Sequence, residues 1–363
     1  MHVPDGFINA PVSAAAGLVA AGAVAAGLRG ARRELGGERT APLAGLVAAF
    51  IFAVQMLNFP VAAGTSGHLL GGALAAILVG PWTGMLCIAV VLLMQGVLFA
   101  DGGLTALGVN ITVMGAVTVL VAYGLFRALV KVLPRTRRSV TAATFLAALV
   151  SVPASAAAFT LVYAVGGTTD VPVGKVLAAM LGVHTLIGVG EAAITTATVG
   201  AVLAVRPDLV YGARGLTAPL KLRVGGELVD AAPAARPAPA GAARTRTVWG
   251  AGLAASLLLA GFVSFYASAD PDGLEKVAAD HGIDRKVQEH AAADSPLADY
   301  GVKDLEDARL SGGLAGTIGV GATLALGTGV FWAARRRRTA QAPAAEGSAR
   351  PPAHSSAPPK DTV

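Results

Sequence analysis

The sequence is poor in charge, in aromatic residues and in cysteine. Charged residues occupy 14% of its 363 positions, aromatic residues occupy 5%, and Cys87 is the only cysteine. Soluble domains carry about 25% charged residues, and disordered chains combine low hydrophobicity with high charge. Neither class fits a chain that is 54% hydrophobic. A single cysteine also excludes an intrachain disulfide and a cysteine-ligated zinc or iron–sulfur cluster.

Several motifs of nucleotide and hydrolytic chemistry are missing as well. The sequence contains no G-x-x-x-x-G-K-[ST] phosphate loop, no H-E-x-x-H zinc motif and no G-x-S-x-G nucleophile motif. We therefore expect a protein that is not an enzyme and has no ATPase site of its own. Any ATP-driven work would use the nucleotide site of a partner.

Long apolar runs rich in small residues are abundant instead. The mean hydropathy is +0.65 and there are 46 glycines, a composition typical of membrane helices that pack closely together. A helix that crosses the hydrocarbon core needs about 20 apolar residues. This criterion predicts an all-α polytopic membrane protein with about nine spans, the third of which is short and rich in glycine. The predicted spans are 8–28, 41–58, 67–80, 82–100, 104–130, 140–166, 176–205, 248–267 and 312–333.

The distribution of basic residues predicts the orientation of these spans. Lysine and arginine concentrate in 29–39, 127–138, 206–247 and the tail from 335, and nine spans place all four segments on one side. That side is the cytoplasm by the positive-inside rule. The N-terminus is therefore on the outer side of the cell membrane and the C-terminus on the cytoplasmic side. The formal net charge of +6 is thus a topology signal, and it does not indicate nucleic-acid binding.

Composition divides the chain into segments. Residues 1–227 form a first membrane module, 228–247 an Ala/Pro-rich cytoplasmic linker, 248–338 a second module with two spans, and 339–363 a tail whose composition predicts disorder. The second module contains an acidic outer segment, 270–310, with 11 acidic and 5 basic residues. This pattern suggests two membrane proteins fused through the linker.

His2 offers an unusual chelate. The N-terminal amine of Met1, the amide nitrogen of His2 and the His2 imidazole can close two adjacent rings around a divalent metal. Three nitrogens in one plane with an open fourth corner suit Ni(II) or Cu(II), and Co(II) less strictly. The alternative is that His2 is an ordinary residue of an unstructured terminus.

Other polar residues lie close to or inside the predicted spans. His68 sits on the predicted outer side, like the N-terminus, and could fill the fourth corner; otherwise it is a satisfied polar residue at a helix start. His184 and Glu191 are two turns apart on one helix face, and ionisable residues in a bilayer usually face a cavity or a partner. They would support the metal site or a gate, or merely join helices. Asn110 is a weaker candidate of the same kind.

The opening MHVPDGFI resembles the start of the CbiM/NikM family, the substrate-binding membrane subunits of energy-coupling factor transporters for cobalt and nickel. Three further stretches match in order: 64–81 (GTSGHLLGGALAAILVGP), 92–110 (LLMQGVLFADGGLTALGVN) and 184–195 (HTLIGVGEAAIT). The second module, with PDGLEKV from residue 271, resembles the PDGLE-type accessory subunits related to CbiN/NikN.

The resemblance implies a seven-helix substrate subunit plus a two-helix accessory module, with a four-nitrogen metal site formed by Met1, His2 and His68. It also implies a transmembrane coupling subunit and cytoplasmic ABC-type ATPases as partners. Nickel or cobalt would be the transported substrate, and no cofactor is implied. The small-residue row Ala41, Gly45 and Ala48 could pack against the coupling subunit, or simply inside the chain.

Two other functions stay open on the sequence. A proton-coupled metal carrier or channel would need no ATPase and would use His184 and Glu191 as its relay. A membrane metalloenzyme would need a general base near the ligands, and Asp5 is the only carboxylate close to them in sequence. The choice between nickel and cobalt also stays open.

Overall fold

The structure is a computed structural model that describes residues 1–35, 40–62, 64–134, 136–214, 221–224, 227–230 and 242–339. Within these ranges the chain is mainly helical, which confirms the all-α class. The helices are α1 (Ala10–Glu34), α2 (Thr40–Gln55), α3 (Gly72–Val79), α4 (Pro81–Leu98), α5 (Leu107–Asn110), α6 (Thr118–Val132), α7 (Arg137–Gly166), α8 (Val173–Val205), α9 (Ala242–Gly261), α10 (Gly273–His281) and α11 (Ala308–Thr339). A π-helical stretch, Ile111–Val117, joins α5 and α6 into one continuous helix.

Seven described helices are long and apolar enough to cross a membrane. They match seven of the nine predicted spans and establish a multi-pass membrane protein. The other two spans are shorter than predicted: α2 has 16 residues and α3 has 8. Every residue of α3 is buried, where it contacts α4, α6 and α7. The short, glycine-rich third span is therefore an interior helix that lipid does not reach.

The outer faces of the long helices are apolar. Leu18 on α1, Leu161 and Val165 on α7 and Val205 on α8 are each at least 70% exposed. Soluble monomers rarely expose large apolar patches, whereas a bilayer solvates such side chains. The lipid-facing surface thus lies on the same helices that are long enough to span.

Two short strands and several loops gather at one end of the bundle. Strand β1 (Phe59–Ala62) pairs antiparallel with β2 (Thr65–Gly67), and Ser66 N of β2 donates to the Pro271 carbonyl at 2.9 Å. Asp299 N donates to the Phe99 carbonyl at 2.9 Å. The N-terminal segment, the loops near 58–67 and 100–104 and the outer segment therefore lie on one side, as the charge pattern predicts.

The second module packs directly on α2. Helices α9 and α11 both contact α2, and a Cβ atom on Gly45 would overlap Thr328 Oγ1 of α11. Ala48 Cβ lies within van der Waals range of the Gly327 position, and Ala41 is 2% exposed.

Of the two alternatives for the row of Ala41, Gly45 and Ala48, packing inside the chain is the one that Gly45 and Ala48 support, because α11 lies against both of them. Small residues allow two helix backbones to approach closely, and the chain uses the row for its own packing. The predicted linker, 228–247, lies mostly outside the described residues. The exceptions are the end of β4 (Glu227–Asp230), which pairs with β3 (Lys221–Val224) of the first module, and the start of α9. The predicted tail lies outside the described residues from residue 340.

Candidate metal centre

The N-terminal segment is inserted into the bundle and held by its backbone. Val3 N donates to Asn110 Oδ1 at 2.8 Å, and Asn110 Nδ2 donates back to the Val3 carbonyl at 3.1 Å. Gly103 N donates to the same carbonyl at 2.9 Å. The side chain of Asp5 accepts from Thr105 N at 2.8 Å. These bonds fix residues 3–5, so that Met1 and His2 project into the interior, where both are at most 9% exposed.

His68 follows β2 and meets this segment. Its Nδ1 lies 2.9 Å from the Leu69 carbonyl, a contact that requires the proton on Nδ1. The lone pair is then on Nε2, which lies 2.5 Å from the Met1 amine. A metal-binding imidazole commonly fixes its tautomer by donating its other N–H to a carbonyl or carboxylate. His68 is therefore prepared as a nitrogen donor.

Glu191 of α8 supports the turn after His68. Its carboxylate accepts from Leu70 N at 2.6 Å and from Gly71 N at 3.2 Å, and it is fully buried. Gly71 has a φ of 83°, in the left-handed region that glycine adopts without strain. Two backbone N–H groups that would otherwise be buried without a partner are satisfied in this way.

The imidazoles of His2 and His68 lie face to face. Their centroids are 5.0 Å apart and the planes differ by 18°. His2 Nδ1 is 3.2 Å from Asp101 Oδ1, and His2 Nε2 is 3.1 Å from Gln95 Oε1. Burial lowers the pKa of the His2 imidazole to about 4, against the opposing effect of Asp101. The ring is thus neutral at pH 7, which is the form that binds metals.

A third group completes the cluster and comes from the second module. Asp272 Oδ2 accepts from the Met1 ammonium at 2.7 Å and lies 3.6 Å from His68 Nε2. Burial by itself would raise the pKa of the Asp272 carboxyl, but the Met1 ammonium and His68 hold it well below its usual range. One ligand atom each from His2, His68 and Asp272 lies within 4.8 Å of the others.

The donor set suits a late divalent metal. The Met1 amine, the His2 backbone amide and two imidazoles offer four nitrogens. The His2 ring is neutral, and the tautomer of His68 leaves its Nε2 lone pair facing the Met1 amine. Planar nitrogen coordination favours Ni(II) or Cu(II), with Co(II) less strict.

His184 lies behind this cluster and outside it. Its Nδ1 donates to the Met180 carbonyl at 2.9 Å, and a Cβ atom on Gly273 would lie 3.1 Å from its Cε1. Its Nε2 is buried without a hydrogen-bond partner among the described residues. His184 and Glu191 share a buried face of α8, as their spacing predicts, but their hydrogen bonds go to different parts of the backbone.

Sequence reasoning missed four residues around the predicted ligands: Asp101, Gln95, Asp272 and Tyr300. Tyr300 OH donates to Asp101 Oδ2 at 2.6 Å, so the outer segment reaches the His2 ring through Asp101. The sequence does show the PDGLE stretch and the net negative charge of the outer segment. Neither of them indicates contact with a residue 271 positions earlier in the chain.

Two family models match this chain. Residues 2–209 match the CbiM family model, described as the cobalt uptake substrate-specific transmembrane region, and residues 246–336 match the PDGLE domain. A protein of Haloquadratum walsbyi named as a metal transport protein is 41% identical over 211 residues, which is 58% of this chain and 94% of that protein.

Two further relatives and one solved structure are similar to this chain. An Archaeoglobus fulgidus protein named as a fused nickel transport protein, NikMN, is 42% identical over 58% of this chain and 68% of its own length. A cobalt transport protein CbiM of Sorangium cellulosum is 33% identical over 47% of this chain and 76% of its length. A crystal structure of a truncated transition metal transporter has a TM-score of 0.49 at 25% identity, covering 56% of this chain and 99% of that one. The family model spans more than half of this sequence, so the chain belongs to the CbiM family and is a membrane component of cobalt or nickel uptake.

Proposed function

We propose that the chain is the substrate-capture subunit of an ATP-driven importer of the energy-coupling factor type, with Ni(II) or Co(II) as its cargo. The observation that supports this most directly is the 2.5 Å contact between the Met1 amine and His68 Nε2. Two donors 67 positions apart meet inside the bundle, beside a neutral His2 ring. The cargo would bind to the Met1 amine, the His2 amide and ring, and His68 Nε2.

The energy for transport would come from partners. A transmembrane coupling subunit and cytoplasmic ABC-type ATPases would reorient or deform the bundle and release the metal inside. The chelate is buried and rich in nitrogen, so release by simple dissociation would be slow. A planar site with four protein nitrogens also leaves no in-plane corner for a reactive water, which argues against a metalloenzyme.

Metal binding to the purified full chain tests the site. Wild type is compared with His2→Ala, His68→Ala and a variant with one residue inserted after Met1, by equilibrium titration with Ni(II) and Co(II). Loss of a residue that hydrogen-bonds to a metal ligand weakens metal affinity by about 10–100-fold, so loss of a ligand itself should weaken it more. His281→Ala is the matched control, because this imidazole lies in the outer segment away from the cluster.

The expected result is one planar-nitrogen absorption band and one bound metal in wild type and in the control, with both lost in the other three variants. Unchanged binding by the insertion variant would contradict the N-terminal chelate. The metal that binds more tightly to the wild type identifies the favoured cargo.

A second candidate is a proton-coupled metal carrier, favoured by the partnerless Nε2 of His184 among the described residues and the buried carboxylate of Glu191. Uptake of radiolabelled nickel into proteoliposomes separates the two functions. The importer requires the coupling subunit, the ATPases and ATP. Uptake by the chain alone, driven by a pH gradient and abolished in His184→Ala, would favour the carrier.

A further inference from the structure

The carboxylate nearest the Met1 amine comes from the second module. Asp272 belongs to residues 248–338, whereas Met1, His2 and His68 all belong to the first module. The Asp272 side chain is 9% exposed and the Met1 side chain is fully buried. A buried ion pair of this kind costs desolvation free energy that only good geometry offsets, so its position calls for a functional reason.

The two oxygens of Asp272 have separate roles. Asp272 is the N-cap of α10, and its Oδ1 accepts from Leu274 N at 2.7 Å and from Glu275 N at 2.9 Å. Glu275 accepts in return from Asp272 N at 2.9 Å, which closes a capping box. Oδ1 is thus committed to the helix end, while Oδ2 faces the Met1 nitrogen and His68.

The first module fixes the place of this cap. Ser66 Oγ donates to the Asp270 carbonyl at 2.7 Å and Ser66 N donates to the Pro271 carbonyl at 2.9 Å. Gly273 lies so close to Ile187 and Val183 that a Cβ atom would come within 2.9 Å of both side chains. Asp272 is therefore held over the N-terminus from both sides.

Counting charges shows what this carboxylate can do once a metal arrives. In the metal-free site, one ammonium is balanced by one carboxylate. Binding of a divalent cation adds positive charge to this buried site. The coordinated amine keeps N–H groups, so Oδ2 can accept from the same nitrogen before and after binding. Uncompensated buried charge is costly, and the Asp272 carboxylate lies where it can compensate the charge of the cation.

The other carboxylates near the site are less suited to this role. The Asp101 side chain is 24% exposed, accepts from Tyr300 OH and faces the His2 ring. Glu275 bonds to the Asp272 backbone. Asp101 is partly screened by water, and Glu275 points to the cap.

We infer that Asp272 of the second module is the outer-sphere carboxylate of the metal site, which accepts from the Met1 nitrogen and compensates the charge of the bound cation. The inference rests on the proposed function. Metal-bound ligands are commonly held by such carboxylates, whose loss weakens metal affinity by about 10–100-fold.

The test uses the full chain with Asp272→Asn and Asp272→Ser, because asparagine and serine cap helices as well as aspartate does but carry no charge. Glu275→Gln is the matched control, since it removes one negative charge from the same helical turn. Ni(II) affinity and the dissociation rate into excess chelator are measured. Equal elution volume and equal helical circular dichroism show that each variant is folded.

We expect both Asp272 variants to bind Ni(II) about 10–100-fold more weakly, mainly through faster dissociation, as for loss of a buried charge partner. Glu275→Gln should bind like wild type. Unchanged binding in folded Asp272 variants would overturn the inference. An equal loss in Glu275→Gln, or a change confined to the association rate, would also overturn it, since either result indicates general attraction of cations by the outer segment. The variant His68→Ala separates the two proposals: if it binds Ni(II) like wild type, the proposed metal site itself is wrong, whatever the result for Asp272.

Discussion

Asn110 and Val3 form a two-way pair: the Asn110 side chain accepts from the Val3 amide and donates to the Val3 carbonyl. The pair is buried and lies two residues from the N-terminal amine. It acts on the backbone of the segment that presents Met1 and His2. A polar residue at the start of a membrane helix thus anchors the N-terminal segment.

Removing this anchor should weaken metal binding without unfolding the bundle. Asn110→Ala deletes two hydrogen bonds, each worth about 0.5–1.5 kcal/mol, and we expect a loss of roughly 5–150-fold in Ni(II) affinity. Thr112→Ala is the matched control. Thr112 lies two residues after Asn110, and its Oγ1 donates to the Ala16 carbonyl of α1 at 3.2 Å, not to the N-terminal segment. Equal affinities in the two variants would show that the terminus is held by other contacts.

Glu191 should matter through the turn that follows His68. Glu191→Ala leaves the buried N–H groups of Leu70 and Gly71 without their acceptor, at about 1–3 kcal/mol for each group. We expect a lower Tm in detergent and weaker Ni(II) binding together. Thr195→Ala, one turn along the same buried face, is the control, because Thr195 Oγ1 has no hydrogen-bond partner among the described residues.

A proton relay would give another outcome for the same position. Glu191→Gln keeps a carbonyl acceptor for the turn but cannot ionise. If Glu191 is a positioning residue, the Gln variant retains most of its metal affinity, measured by titration. Wild-type Ni(II) binding combined with complete loss of uptake would instead favour the carrier.

Metal affinity should fall steeply as the pH is lowered. The Met1 ammonium and the His2 amide each lose one proton to form the chelate, while the His2 ring contributes none, because burial lowers its pKa to about 4. Because ligand protons are released on binding, the affinity becomes weaker at acidic pH. Titrations with Ni(II) between about pH 5.5 and 7.5 measure this dependence. An affinity that stays constant over this range would contradict the chelate.

Much of the fold can be predicted from the sequence, because two of its determinants are carried by residues close together in the chain. Apolar runs specify the long helices, and clusters of arginine and lysine specify which loops share a side. The proposed chelate of Met1 and His2 likewise depends on adjacent residues and stays a prediction. Partnerships across the chain carry no such signal: nothing in the spacing indicates that Asp272 meets the Met1 amine or that Tyr300 reaches Asp101.

Small-residue rows show the same limit. A stripe of alanine and glycine indicates that a helix will be approached closely, but it does not say by which helix. On α2 the neighbour of Gly45 and Ala48 is α11 of the same chain, so these two positions support internal packing, one of the two alternatives that the sequence leaves open. Apolarity also misleads, because α3 is apolar enough for a membrane helix yet is only 8 residues long and buried throughout.

A substitution at Gly45 tests this internal packing. A methyl group there would overlap Thr328 Oγ1 and lie 3.0 Å from the Thr328 backbone nitrogen, so α2 and α11 would have to separate. Overpacking of this kind costs about 1–3 kcal/mol. We expect Gly45→Ala to lower the Tm of the purified chain in the absence of any other subunit.

Gly321→Ala is the control for that change, since a Cβ atom on Gly321 of α11 meets nothing within 4 Å. Alanine has a higher helix propensity than glycine, so this variant should melt at the wild-type temperature or slightly above it. If Gly45→Ala also melts like wild type and only assembly with a coupling subunit fails, the α2 row faces a partner after all. A lower Tm for Gly45→Ala alone places the contact inside the chain, because no partner is present to lose.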